Sequence, residues 1–295
     1  MFKKFSIVKN YKIFFSISIL FLMLGFGSML FRGFNLGIDF TGGSIMDLNF
    51  KREVTVAEVR EVLKEKDLGN SVIQLETQDG TATKAKAVLI RTGVINDTQR
   101  RAVMADLKSK LGEFDIQRVE NVGATIGGEL IQQAVMAIML SWVLMIAYIT
   151  LRFEFRFAIA AIIALIIDVS VTLSYFSLLH MEMDSSFVAA LLTVVGYSIN
   201  GTIVIFDRIR ENLKIHRRNE SLGDLIDNSI WSTMTRSLYT SGTSLFAIVS
   251  IFLFGGETIR NFSFAMMVGF SSGVYTSTFL AGPMWLFLRG KKAND

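Results

Sequence analysis

The 295-residue chain contains no cysteine, one proline and two histidines. Without thiols no disulfide can staple an exported domain, and no thiolate set can hold zinc or an iron–sulfur cluster. The two histidines, His180 and His216, fall on opposite sides of a membrane in the reading below, so no hydrolytic constellation supports an enzyme. His180 with Glu182 and Asp184 is read as an exposed loop rather than a metal site. A nucleotide-binding loop is also missing: the glycine-bearing run Gly37–Gly43, GIDFTGG, lacks the lysine-serine/threonine ending that would hold phosphate. No cofactor or metal is therefore expected. The net charge of +4 comes from lysines and arginines set beside apolar segments, not from an aromatic-studded basic strip, which argues against nucleic acid as a partner.

What is present is apolar sequence. With 51% hydrophobic residues, 25 of them Phe across the chain, the composition is that of a membrane protein. A helix needs about 20 mostly apolar residues to cross hydrocarbon. Six segments meet that length: Ile13–Phe31, Ile131–Leu151, Phe157–Leu179, Phe187–Phe206, Leu238–Phe254 and Phe262–Leu288. Lys3, Lys4, Lys9 and Lys12 precede the first, Arg152 and Arg156 separate the second from the third, and Arg208, Arg210, Lys214, Arg217 and Arg218 follow the fourth. Arg289, Lys291 and Lys292 follow the sixth. The positive-inside rule then sets both termini in the cytoplasm. The first apolar run is longer than a signal-peptide core and shows no small-residue cleavage site, so it is expected to remain as a span.

That threading divides the chain into 1–31 (a cytoplasmic N-terminus and first span), 32–130 (extracytoplasmic, with its connectors) and 131–295 (five spans and a cytoplasmic C-terminus). In the exported segment Ser44–Phe50 alternates as a strand, and Thr55 with Glu58 forms a capping box opening a helix to about Asp67. Val72–Thr77 and Ala85–Arg91 read as strands around Asp79-Gly80; Asp97–Leu111 reads as an amphipathic helix and Phe114–Val119 as a last strand. The predicted fold class is a six-helix membrane bundle carrying an α+β, ferredoxin-like extracytoplasmic domain of order β-α-β-β-α-β.

Polar residues inside the apolar spans are the candidate functional positions, because hydrocarbon offers no water to satisfy them. The fourth span holds such a wedge: Gly196, Tyr197, Ser198, Asn200, Gly201 and Thr202, ending in Asp207 and Arg208. In the third, Asp168 sits mid-span, where an ionised aspartate costs about 2.5–3.5 kcal/mol, so it must be protonated, paired or wet. Thr172, one turn on, is a candidate hydrogen-bond partner. Either an ion-carrying role or a neutral carboxyl gluing helices fits Asp168. Arg236, before the fifth apolar run, either snorkels to the interface or turns inward toward Asn200. Gly37, Asp39, Gly42 and Gly43 on one side of the exported segment, and the NVGATIGGEL run Asn121–Leu130 on the other, are glycine connectors that act either as hinges or as plain linkers. Gly269 and Gly273 suit close helix packing within the protein, and Pro283 a kink in the last span.

Taken together, GIDFTGG after the first span, VGATIG before the second, Arg152-Phe153-Glu154, and AALLTVVGYSING followed by FDRIREN resemble the SecF family of protein-export membrane proteins. The likeness extends to Thr235-Arg236-Ser237 and Thr240-Ser241 and covers nearly the whole chain. It implies a resistance-nodulation-division relative of the bacterial inner membrane that pairs with six-span SecD beside the SecY translocon. There, the family uses ion flow, the proton motive force, to assist late export of unfolded preproteins. Against the family pattern, the aspartate after the fourth-span asparagine is Gly201 here, and Ile167 stands where histidine often precedes Asp168. Asp168, Asn200 and Arg236 remain as ion-coupling candidates, while the carboxylate carrier is left either to Asp168 or to a SecD half. A small-molecule exporter of the same superfamily and a non-coupling translocon scaffold are the alternative functions.

Overall fold

The structure is a computed structural model, and it describes residues 5–76, 83–215, 221–256 and 259–290. The expected Asp79-Gly80 turn, His216, and the basic residues Lys3, Lys4, Arg217, Arg218, Lys291 and Lys292 lie outside the described residues. The elements in chain order are α1 (Tyr11–Arg32), β1 (Asn35–Leu36), α2 (Ile38–Thr41), β2 (Gly43–Thr55), α3 (Val56–Lys64), β3 (Val72–Glu76), β4 (Lys84–Thr92), α4 (Asp97–Leu111) and β5 (Phe114–Val122). They continue with α5 (Ala124–Arg152), α6 (Phe155–Leu178), β6 (Glu182–Met183), α7 (Ser185–Lys214), α8 (Leu222–Phe254), α9 (Arg260–Tyr275), a π-helical turn (Thr276–Ala281) and α10 (Gly282–Leu288). The chain forms two compact units, Leu36–Ala134 and the remainder.

The Leu36–Ala134 unit is built on β2, which pairs antiparallel with β4 on one side and β5 on the other; β3 adds to β4, giving the order β3-β4-β2-β5. Alternation along β2 puts Met46, Leu48 and Phe50 into one core with Val59, Val62 and Leu63 of α3 and Val103, Leu107 and Leu111 of α4. Both helices begin on a reciprocal cap, each side chain at the start meeting the backbone three residues on. In α3 these are Thr55 and Glu58, and in α4 Asn96 and Gln99. The helix α4 matches its predicted span, whereas α3 stops at Lys64 and β2 runs to Thr55.

Of the connectors, GIDFTGG contains the helical turn α2, and most of Asn121–Leu130 is already helix, since α5 starts at Ala124. A Cβ on Gly127 would lie 2.5 Å from the Phe40 carbonyl oxygen, and one on Gly43, whose φ is +145°, would lie 2.6 Å from the Thr92 carbonyl oxygen. These glycines therefore serve a packed corner in which backbone meets backbone, and bare linkage is not the reason for them.

In the second unit six helices are long and apolar enough to cross a membrane: Tyr11–Arg32, Ile126–Arg152, Phe155–Leu178, Ser185–Lys214, Leu222–Phe254 and Arg260–Leu288. The sixth is continuous through the π-helical turn, which ends at Ala281, two residues before Pro283. Proline cannot donate a backbone hydrogen bond, and the altered spacing falls where that donor is lost. The main core gathers Phe157, Ala160 and Ala161 of α6, Ile205, Phe206 and Ile209 of α7, Ile226 and Ile230 of α8, and Trp285 of α10. Gly269 and Gly273 form the seam between α9 and α7: a Cβ on Gly269 would lie 2.2 Å from Val194, and one on Gly273 2.9 Å from Ser198. By contrast, α5 and the apolar part of α8 leave most of their surface open in the single chain.

Candidate functional site

Asp168, midway along α6, is wholly buried. Its carboxyl is met by hydroxyls from two other spans: Ser198 Oγ of α7 donates to Oδ2 at 2.5 Å, Ser272 Oγ of α9 to Oδ1 at 2.6 Å, and Thr276 Oγ1 to Oδ1 and Oδ2 at 2.9 and 3.0 Å. Thr172 is not a partner of the carboxyl; its hydroxyl turns back to the Asp168 carbonyl oxygen at 2.9 Å, as threonines in helices do. Three donors on two oxygens satisfy a carboxylate without a cation, and hydroxyls can also rotate to accept, so the cage suits either protonation state. Its effect is to tie α6, α7 and α9 together at mid-depth.

One hydroxyl away lies a cavity of about 70 Å³ between α7, α8 and α9. Ser198, Asn200 and Gly201 line it from α7, Arg236, Ser237 and Ser241 from α8, and Gly273 and Ser277 from the last span. Asn200, Gly201 and Arg236, picked out separately in sequence, are thus brought to one place, while Asp168 stands behind Ser198 and does not line the cavity. The helix α8 begins at Leu222, ahead of the apolar run, so Arg236 lies about 21 Å along a helix about 48 Å long, one turn beyond Ser232. Among the described residues Arg236 makes no ion pair or hydrogen bond. Tyr197 bridges the walls, its ring stacked on Phe270 with centroids 3.7 Å apart and its hydroxyl donating to the Thr240 carbonyl at 3.2 Å. Of the lining residues Asn200, Arg236 and Thr240 are exposed in the single chain, as are Thr193 and Gly196 further back along α7.

Asp207 and Arg208 fall outside this cavity. Arg210 donates to Asp207 at 2.7 Å and to the Arg152 carbonyl at 2.9 Å, with its guanidinium over Phe153, so the Arg152-Phe153-Glu154 turn is clipped to α7. Arg208 reaches Glu211 at 2.9 Å and Ser232 of α8 at 3.2 Å. At the same end Asp227 receives the hydroxyl of Ser6 at 2.5 Å and the backbone N–H groups of Ile7 and Val8 at 3.0 Å each, pinning the segment before α1; sequence reading passed over this residue. Asp184 caps α7, accepting from the Phe187 N–H at 2.9 Å, and no group of three metal-ligating side chains occurs among the described residues.

Residues 102–291 match the family described as protein export membrane protein SecD/SecF, C-terminal, and residues 27–54 match the SecD/SecF GG motif. A protein translocase subunit SecF from Acidaminococcus fermentans is 68% identical over 289 residues, covering 98% of this chain and 99% of its own. The chain belongs to the SecF family. A SecF from Vibrio alginolyticus is 36% identical over 285 residues, covering 96% of this chain and 89% of that protein. Among solved structures, SecDF from Thermus thermophilus superimposes with a TM-score of 0.86 at 32% identity; the match covers 97% of this chain and 39% of that longer one. SecDF in its super-membrane-facing form gives 0.71 at the same 32% identity, again over 39% of its length. Within the SecF family frame, the GG motif is the packed corner at Gly42-Gly43, and the C-terminal family segment contains the Asp168 cage and the Arg236 cavity.

Proposed function

We propose that the chain is an auxiliary subunit of the Sec preprotein translocase in the bacterial inner membrane. It pairs with a SecD-type half beside a SecY translocon and assists ion-gradient-dependent late export of unfolded preprotein. In this reading both termini are cytoplasmic, residues 32–130 form a ferredoxin-like domain outside, and spans 1–31 and 131–295 are bathed in lipid. The observation that supports the pairing is the exposed polar face made by Thr193, Gly196, Asn200, Arg236 and Thr240 within the spanning helices. An arginine facing hydrocarbon costs up to about 2.5–3.5 kcal/mol, so another protein surface covers it.

Coupling to an ion gradient needs a group that gains and loses charge, and position 201 has no side chain to do so. Asp168 is enclosed by hydroxyls from neighbouring spans, which favours a locking role; the titrating carboxyl is then supplied by the SecD half. The clip around Asp207 and Arg208 holds the cytoplasmic ends of α5, α7 and α8 as the bundle rearranges, and the Gly37–Gly43 corner fixes the outer domain's first strand.

Export of a reporter preprotein by the full chain co-expressed with a SecD-type partner tests both parts. Asp168→Asn keeps hydrogen-bonding atoms but cannot titrate, and is expected to retain most ion-driven export, whereas Asp168→Leu loses it. Loss of export in a stably accumulating Asp168→Asn protein would make Asp168 the carrier. Failure to co-purify with any SecD-type protein would remove the subunit assignment in favour of a stand-alone exporter.

A further inference from the structure

The cavity between α7, α8 and α9 carries one cation, Arg236, and no acidic side chain lines it. The nearest carboxyl, that of Asp168, has its oxygens taken up by Ser198, Ser272 and Thr276 and makes no ion pair with the guanidinium. Between the apolar side chains of Val204 and Val274 the wall offers donors in the hydroxyls of Ser237 and Ser241 and the amide of Asn200, while the Ser277 hydroxyl is turned to the Val274 carbonyl at 3.2 Å. A guanidinium in a membrane-spanning helix, flanked by hydroxyl and amide donors and without an ion pair among the described residues, is an anion-attracting arrangement. The volume of about 70 Å³ admits a small anion together with water.

We propose that this cavity is a binding site for a small monovalent anion of chloride size, held by Arg236 with Asn200 and the serine hydroxyls. The shared chemistry is a single compact negative charge beside Arg236, and it has two sources: a free halide, or a carboxylate reaching in from a partner's span through the exposed face. Position 201 is the natural switch, because a Cβ there meets Ser277 Oγ at 3.3 Å and its Cβ at 3.6 Å, so a side chain can be added at the cavity wall with only a small adjustment. The inference depends on these helices lying in a membrane. Its readout is binding rather than export, so its failure leaves the translocase reading standing, and the converse also holds.

The test is thermal unfolding of the purified full chain in nanodiscs, titrated with sodium chloride against sodium gluconate at matched ionic strength. Chloride is expected to raise the midpoint saturably by roughly 3 °C where gluconate does not. Arg236→Gln removes the chloride increment. Gly201→Asp, which brings its own carboxylate, removes it as well while leaving the protein as stable as the chloride-loaded parent. Repeating the titration on the complex with a SecD-type partner separates the sources: a retained increment identifies a free ion, and an increment lost on pairing identifies a partner carboxylate. No chloride-specific increment in the full chain, or an equal one in Arg236→Gln, overturns the proposal.

Discussion

Two polar sites sit one hydroxyl apart in the same bundle and are built on opposite terms. The acid, Asp168, is sealed, with both oxygens met by donors from neighbouring spans; the base, Arg236, faces a cavity and an open seam with no partner among the described residues. Ser198 belongs to both, donating to Asp168 while lining the cavity. A closed site adds to the stability of the single chain. An open one keeps its electrostatic cost available for something that binds, which is where a subunit that works in a complex places its interactions.

The largest effect should come from breaking the frame that holds both sites. Gly269→Leu drives a side chain into Val194 and separates α9 from α7; a loss of about 3 kcal/mol, seen as a sharply lower melting point in detergent, is expected. Next, Asp168→Leu leaves three buried hydroxyls without their acceptor and should cost about 2 kcal/mol by the same assay, with Asp168→Asn closer to the parent. If both substitutions cost the same, the cage contributes no hydrogen-bond energy and the contrast between the sites collapses. On the open side, Gly201→Asp should shift stability by no more than about 0.5 kcal/mol in low chloride beyond the gain from pairing with Arg236; severe destabilisation would show that the cavity wall has no slack.

The smallest effect extends the comparison to the sheet. Asp47 on β2 has Oδ1 buried without a hydrogen-bond partner among the described residues; burial pushes its carboxyl above the ordinary range, and Arg118 pulls it part-way back. Its contribution to stability is therefore present below about pH 4 and is lost as pH rises through the raised value. Asp47→Asn should slow amide exchange along β2 in the full chain at pH 7, a gain under about 1 kcal/mol after solvent screening, and the difference should vanish near pH 4. A gain that persists at low pH would mean that packing, not charge, is the cause.

The sheet unit was legible because its signals are local. The capping box of Thr55 and Glu58 announces α3, and the amphipathic run Asp97–Leu111 announces α4 at its true start. The spans were legible where apolar sequence filled them. The first sixteen residues of α8 were not: Leu222, Leu225, Ile226, Ser229 and Ile230 recur at helical spacing and are buried, but acids and hydroxyls between them lower the hydropathy, so the helix was read as starting only at the apolar run after Arg236. The glycines of Asn121–Leu130 were left as hinge or linker because nothing in sequence reveals that the Phe40 backbone needs the space beside Gly127, inside α5. The Asp168 cage shows the harder limit. Ser271 and Ser272 are neighbours of one type, yet Ser271 turns back to the Met267 carbonyl and Ser272 crosses to Asp168. Only the direction each faces on α9 separates them, and that is set by packing against α6.

The π-helical turn carries a last consequence. Its wider winding takes up one residue more than an α-helix would across the same rise, so Thr276 and everything upstream are rotated relative to Trp285 and everything downstream. Excising a single residue between Thr278 and Leu280 would let the span rewind as uninterrupted α-helix, and its two halves could then no longer both keep their present neighbours: either Thr276 would leave Asp168 or Trp285 would leave Phe157, on which it now stacks. The last span thus behaves as two separately aimed segments joined by a phase offset.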